Sequence, residues 1–323
     1  MFAMGYLRPG PPEVLVPMEV PLPQVLPTEI LVRVHASSIN PIDTRTRAGA
    51  PTPAAAAQLA SPHVLGWDVS GVVVEVGPGV HRFEVGDEVF GLPWFPRAAG
   101  ANAEFVAAPS RHFARKPARM DHDHAAALPL AGLTAWQALN EVAAVQPGQR
   151  VLIHAAGGGV GHIAVQVAKA LGAYVIGTAR ESQHAWLRVL GADELIDFHT
   201  HRFEDQVAPV DIVLDLVGGF GDGGDTQLRS LDVLRRGGVL VRVAPGEAPE
   251  LESEARLLGV RTSPELLVEP DYCGLENLVK LVDNGQLETE LHASFELRDL
   301  VAAHRRAEEG GFAGKIVIRH DAT

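Results

Sequence analysis

Cysteine is almost missing from this chain of 323 residues: Cys273 stands alone. One thiol excludes an internal disulfide framework and any thiolate zinc cluster. Long apolar runs are missing as well. Nothing approaches the roughly 18 consecutive apolar residues of a membrane-crossing helix, and Met1 to Pro9 lack the apolar stretch of a secretion signal. The expectation is a cytoplasmic protein with no membrane partner. Positive charge is scarce: 27 Lys and Arg face 40 Asp and Glu, a net charge of −13, and no segment gathers the basic residues into a stripe. Nucleic acid is therefore not an expected partner. Apolar and charged residues, at 46% and 21%, are those of an ordinary globular protein, while 33 Gly and 23 Pro predict tight turns. The length predicts two domains, each able to bury a core.

As far as about Pro117, short β-rich runs at 29–35, 71–77 and 86–91 are broken by Pro and Gly, the texture of a compact antiparallel barrel. From about Ala125 it changes. Residues 125–142 are helical in composition, and Pro147-Gly148 turns the chain into a buried-strand run at 150–155. Val160, Ile163, Ala164, Val167, Ala168 and Leu171 then recur at helical spacing. Strands are expected at 173–178, 194–198, 210–215 and 238–244, with a helix through Trp186, Leu187 and Leu190 ended by Gly191. Alternating strand and helix predicts a parallel, doubly wound sheet. The tail reads as helices at 275–283 and 297–309 and a strand at 315–319.

The first strand of this series runs into Ala155-Ala156-Gly157-Gly158-Gly159-Val160-Gly161 and then into the helix. This is a G-x-G-x-x-G fingerprint with Ala156 in the first place. Gly158 lets backbone approach a pyrophosphate, Gly161 permits close helix–strand packing, and the helix N-terminus offers N–H groups to phosphate. Ala156, Gly157, Gly158, Gly159 and Val160 are thus candidate dinucleotide contacts. At the end of the second strand, about 20 residues on, an acid would bind a ribose 2′-hydroxyl. Here the residues are Thr178-Ala179-Arg180. A guanidinium at that place favours a 2′-phosphate, hence NADP(H). The other reading leaves Arg180 in solvent and turns Glu181 toward the ribose.

Several segments carry a resemblance: Ser38-Ile39-Asn40-Pro41-Ile42-Asp43, Leu65-Gly66-Trp67-Asp68-Val69-Ser70-Gly71-Val72-Val73, Val85-Gly86-Asp87-Glu88-Val89-Phe90-Gly91, Leu128-Pro129-Leu130-Ala131-Gly132-Leu133-Thr134-Ala135-Trp136, Leu190-Gly191-Ala192-Asp193 and Gly314-Lys315-Ile316-Val317. With these the whole chain resembles the medium-chain dehydrogenase/reductase superfamily, and within it the zinc-free quinone oxidoreductase branch. The resemblance implies an α/β protein with a GroES-like β-barrel domain and a Rossmann doubly wound parallel sheet domain. The expected division is 1–122 for the barrel, 123–262 for the NADP(H)-binding domain and 263–323 for a segment returning to the barrel. Zinc alcohol dehydrogenases of the superfamily carry Cys near Ser37 and Gly-His-Glu at Gly66-Trp67-Asp68, so no metal is expected. His122 and His124, two apart after Asp121, lack the usual metal spacing and read as a solvated linker.

Function follows as an expectation: hydride transfer from NADPH to a quinone or an α,β-unsaturated carbonyl, in a cleft between the domains of a homodimer. The resemblance places Asn40 near the nicotinamide and the substrate oxygen, as the catalytic candidate, and Thr134 at the nicotinamide end. Val243, Ala244 and Pro245 line the nicotinamide, Val217-Gly218-Gly219 pass near the adenosine ribose, and Phe312 walls the cofactor. Phe198 stands where a Tyr often supports the 2′-phosphate. Arg45 and Pro51 stand where substrate-side Tyr residues are common, so a phenolic donor is missing. Trp94 and Phe95 are candidates to restore an aromatic pocket wall, and His63 is a candidate proton donor or a surface residue. Two alternatives remain open: reduction of an enoyl thioester or biosynthetic enone, and a non-catalytic NADPH-binding protein.

Overall fold

The computed structural model describes residues 1–50, 62–218, 225–246 and 249–320. Pro51, the alanine run at 54–57 and Gly219 lie outside the described residues. The chain forms two compact units. One comprises Met1–Leu133, Glu269–Asp283 and Glu288–Thr323, the other Thr134–Val268 and Asn284–Leu287.

In the first unit the long strand Glu29–Ile39 is the spine of a seven-stranded sheet. It pairs antiparallel with Val69–Val76 on one side and with Lys315–Arg319 on the other, and Phe105–Pro109 also pairs with it. Alternation buries Ile30, Val32 and Val34 against Val69, Val73, Val89 and Phe113, each worth about 1.5–3 kcal/mol relative to exposure. The spine ends at Asn40, where Pro41 opens the helix Pro41–Arg47; proline fits a first helical position because its missing N–H has no partner there anyway. A three-stranded sheet, Val16–Glu19, Phe2–Tyr6 and His63–Val64, completes the β structure of this unit among the described residues.

The second unit carries a six-stranded, all-parallel sheet. Its strands are Arg150–Ile153, Tyr174–Ala179, Glu194–Asp197, Val210–Asp215, Leu234–Arg242 and Arg261–Glu265. Numbered in chain order they lie 3-2-1-4-5-6 across the sheet, the doubly wound order with its switch point between the first and fourth strands. Leu152, Ile176, Val213 and Leu240 are fully buried, as expected of strands covered on both faces. The helix Gly161–Ala170 buries Ile163, Ala164, Val167 and Ala168 of the expected stripe, while Val160 and Leu171 are half-buried caps, and it also buries His162, Val165 and Gln166. Residues 125–142 are not one helix. Helices His122–Ala126 and Pro129–Trp136 are followed by a π-helical turn Gln137–Val142, consistent with Pro129, which ends one helix and starts the next. Among the described residues no helix is long and apolar enough to cross a membrane.

Candidate functional site

In the parallel-sheet unit the first strand turns sharply into its helix. Ala155 takes a left-handed backbone, φ 51°, its carbonyl accepts from Gly158 N–H at 2.9 Å, and its own N–H donates to Thr178 Oγ1 at 3.2 Å. A Cβ on Gly161 would lie 2.2 Å from that same carbonyl, and one on Gly158 would stand 3.2 Å away. Position 161 is therefore glycine by necessity of packing, whereas at position 158 the carbonyl would need to give by only a few tenths of an ångström. The residues fit a dinucleotide: a cradle without side chains opens onto a helix N-terminus, whose first N–H groups have no intrahelical acceptor.

Thr178, 4% exposed, lies under this turn. Beneath it His154 shares its two ring nitrogens with Thr178 Oγ1 and Ser230 Oγ, and burial pushes its pKa down to about 4, so it is neutral at pH 7. Arg180 follows immediately on the second strand. The parallel register sets Ala179 opposite Asp197, which places Arg180 and the exposed Phe198 side by side at the carboxyl edge. Gln183, which sequence reasoning missed, ties the two parts together: its Oε1 accepts from Arg180 N–H at 3.3 Å and occupies the space a Gly157 Cβ would need.

On the other side of the switch point, buried Asp215 gathers two further candidates. Its carboxylate accepts from the N–H of Val217 and Gly218 and from Gln227 Nε2 at 2.8 Å, and its carbonyl accepts from Val243 and Ala244. A Cβ on Gly218, φ 73°, would lie 2.3 Å from Pro245 O. Val217 and the Val243–Ala244–Pro245 segment are thus in one place, and Asp215 is the residue that holds them there. Thr134, 4% exposed, lies on the helix Pro129–Trp136.

In the barrel unit Asn40 is 3% exposed and tightly engaged. Its Nδ2 donates to Asp68 Oδ2 at 2.7 Å, its Oδ1 accepts from Lys315 Nζ, and its backbone N–H donates to Asp43 Oδ2 at 2.8 Å. Asp68 also accepts from Ser38 Oγ and from Leu130 N–H, and Lys315 Nζ lies 3.6 Å from Asp68 Oδ2. Burial raises Asp43 to about 7 and lowers Lys315 below the ordinary lysine range. Zinc does not fit here. Ser37 bonds Asn102 and His320, Trp67 donates its indole N–H to Arg97 O, and the one carboxylate at a family ligand position is already filled by four donors, one of them an ammonium group. Among the described residues no three His, Cys, Asp or Glu are grouped to hold a metal.

Arg45 is exposed on the helix Pro41–Arg47. His63 is half-buried on a strand, its ring 4.9 Å from Tyr6 and its Nδ1 without a hydrogen-bond partner among the described residues. Phe95, 8% exposed, is edge-on to Trp67 in the core. Trp94 donates its indole N–H to Ala107 O and walls a pocket of about 250 Å³ with Met1, Val64 and Phe105. Phe312 stacks on His292 at 4.7 Å, and the Arg306 guanidinium, which donates to His292 Nε2 at 3.0 Å, lies over the same ring. His122 corrects the linker reading: it stacks on His35 at 4.5 Å and bonds Ser70 Oγ at 2.8 Å, because the helix it opens packs on the barrel sheet.

Residues 26–118 match the family of alcohol dehydrogenase GroES-like domains and residues 190–318 that of zinc-binding dehydrogenases. The chain is 35% identical to the 2-haloacrylate reductase of Burkholderia sp, over 96% of each chain. It superimposes on the quinone oxidoreductase from Coxiella burnetii with a TM-score of 0.89 at 38% identity, over 99% of each chain. It also superimposes on the Escherichia coli quinone oxidoreductase complexed with NADPH, with a TM-score of 0.84 at 28% identity, over 99% of this chain and 100% of the other. With a GroES-like domain, a 3-2-1-4-5-6 parallel sheet and a nicotinamide-type cradle at its switch point, the chain belongs to the medium-chain dehydrogenase/reductase superfamily, in its quinone oxidoreductase-like branch, and is an oxidoreductase.

Proposed function

We propose that the protein is an NADPH-dependent, zinc-independent reductase of quinones or α,β-unsaturated carbonyls. The observation that carries this reading is Arg180 at the carboxyl edge of the parallel sheet, one residue past the register pair Ala179 and Asp197. A carboxylate there would accept from a ribose 2′-hydroxyl and repel a 2′-phosphate; a guanidinium does the reverse. The acceptor class is supported by the relatives, one named for reducing 2-haloacrylate and two for quinones.

A reduced nicotinamide, when bound, supplies the hydride. The chain's own groups bind and orient. The turn Ala156 to Val160 and the start of the helix Gly161–Ala170 hold the pyrophosphate, and Arg180 with the ring face of Phe198 holds the 2′-phosphate. Val217, Val243, Ala244, Pro245 and Thr134 line the nucleoside ends, with Phe312 as a further wall. Asn40 donates to the substrate oxygen on which negative charge develops, which lowers the barrier because a fixed dipole needs no reorganisation as the charge forms. With an ammonium beside Asp68, polarisation of the acceptor falls to this hydrogen bond rather than to a cation, and the final proton comes from solvent.

The test is NADPH oxidation with a panel of quinones, enones and enoyl thioesters, with NADH in parallel and metal analysis of the purified protein. The expected result is turnover on a conjugated acceptor, insensitive to chelators, with NADH about 100-fold poorer in kcat/KM, and a shift toward NADH in Arg180→Asp. Equal use of both cofactors would overturn the assignment. Tight NADPH binding without turnover across the panel would point to a non-catalytic binder.

A further inference from the structure

The sheet order of the barrel unit brings three strand ends together. The register Ile316 to Ile39 sets Lys315 level with Asn40 on one side of the spine, and the register Ala36 to Ser70 sets Asp68 level with Ser38 on the other. Asn40 is thus flanked by an ammonium and a carboxylate, neither more than 4% exposed. The two differ in what they accept. Lys315 Nζ can only donate, and it meets Asn40 Oδ1 and Ile39 O. Asp68 Oδ2 meets Asn40 Nδ2. A flipped amide would face NH2 to ammonium and oxygen to carboxylate, exchanging two charge-assisted bonds for two repulsive contacts.

We infer that Lys315 and Asp68 are positioning residues that lock the side-chain amide of Asn40 in one orientation, so that its second Nδ2 hydrogen is fixed as the donor toward the substrate. That second hydrogen has no partner among the described residues. Asp43 completes the lock from the main chain by accepting the Asn40 N–H, while its other oxygen accepts from Gly66 N–H. Leu130 N–H and Ser38 Oγ hold Asp68 in place in turn. The inference rests on the proposal that Asn40 contacts the substrate oxygen, and its test is built to separate the two.

The experiment is a double-mutant cycle on the full chain, with a quinone acceptor that the wild-type protein reduces: Asn40→Ala, Lys315→Met and the combined variant. NADPH binding is followed separately by fluorescence. Lys315→Met is expected to lower kcat about 10-fold or more, with KM and Kd for NADPH within about twofold, and to change kcat less than about twofold once Asn40 is already Ala. A merely structural lysine would lower kcat by the same factor in both backgrounds, and that result, or an unchanged kcat in Lys315→Met, overturns the positioning role while leaving Asn40 in place. Full turnover in Asn40→Ala overturns the reading of Asn40 itself, and the lock with it. Should Lys315→Met fail to fold, Asp68→Asn/Lys315→Met carries the same cycle without the unpaired Asp68 carboxylate, with the same outcomes deciding.

Discussion

The turn at 155–161 contains no side chain larger than valine, and its shape comes from backbone hydrogen bonds and from the space that missing Cβ atoms leave. The knot around Asn40 is the opposite construction: two carboxylates, an ammonium and an amide, none more than 4% exposed, with Asn40 bound to all three ions. In the turn, tolerance to substitution follows the room available for one carbon. In the knot it follows charge balance, because a buried ion is costly once its partner is gone. The two units thus make different demands on mutation, pH and sequence reading.

The largest expected effect comes from unbalancing the knot. Lys315→Met leaves Asp68 as an unpaired buried carboxylate and should cost about 3–5 kcal/mol in urea unfolding. Asp68→Asn/Lys315→Met removes both charges and should cost less than half as much. Equal losses in the two variants would mean that side-chain volume, not charge, organises this region, and the contrast with the turn would disappear.

Titration sharpens the comparison. Burial depresses His154 to about 4, His304 to about 3 and His320 to about 3. The unfolded chain takes up these protons near pH 6.5 and the folded chain does not, so stability is lost as pH falls below 6.5. Asp43, raised by burial to about 7, works the other way, since the folded chain holds its proton first and gains stability as pH falls. Taken alone, these three histidines against one carboxyl leave about two excess protons on the unfolded chain between about pH 6 and 4.5, a loss of about 2.7 kcal/mol per pH unit, and the burial that lowers His35, His112 and His122 acts in the same direction. Urea midpoints across that range check it. A flat profile would show that the histidines protonate in place.

Within the turn, two glycines three apart should behave differently. Gly161→Ala pushes a methyl onto the Ala155 carbonyl at 2.2 Å and should cost about 2–3 kcal/mol in stability by displacing the helix start. Gly158→Ala, with 3.2 Å to the same atom, should stay within about 1 kcal/mol of wild type while weakening NADPH binding, because its methyl faces the cradle. Denaturation and NADPH fluorescence titration separate the two effects. If Gly158→Ala binds normally, the pyrophosphate does not approach at that position.

This difference in construction also explains what could be read from the sequence. The turn is local: strand, glycines, helix and Arg180 lie within about 30 residues, the span of one βαβ unit, and the strands Val210–Asp215 and Lys315–Arg319 have the bounds read from the sequence. The knot joins residues 28 and 275 apart, so its motifs are visible while their meeting is not. Asp215 and Gln183 went unread because each holds a candidate segment through backbone N–H groups rather than through a motif of its own. The strand Arg261–Glu265, with Arg, Thr, Ser, Pro and Glu, is polar because it is a sheet edge, where proline is tolerated. His122 looks solvated in sequence and lies against His35, since nothing near it in the chain announces a ring 87 positions away.

The smallest expected effect tests how far backbone alone shapes the turn. Ala155 holds φ 51°, a conformation that costs an L-residue about 1–2 kcal/mol and glycine almost nothing. Ala155→Gly removes that strain but gives the unfolded chain more freedom, a loss of about 0.5–1 kcal/mol. The balance should raise stability by up to about 1 kcal/mol, seen as a small increase in Tm. NADPH affinity should stay within about twofold, because the Ala155 N–H still reaches Thr178 Oγ1 and its carbonyl still accepts from Gly158. A fall in Tm would mean that the methyl of Ala155 packs for more than its backbone strain costs, and that side chains, as in the knot, also shape the turn.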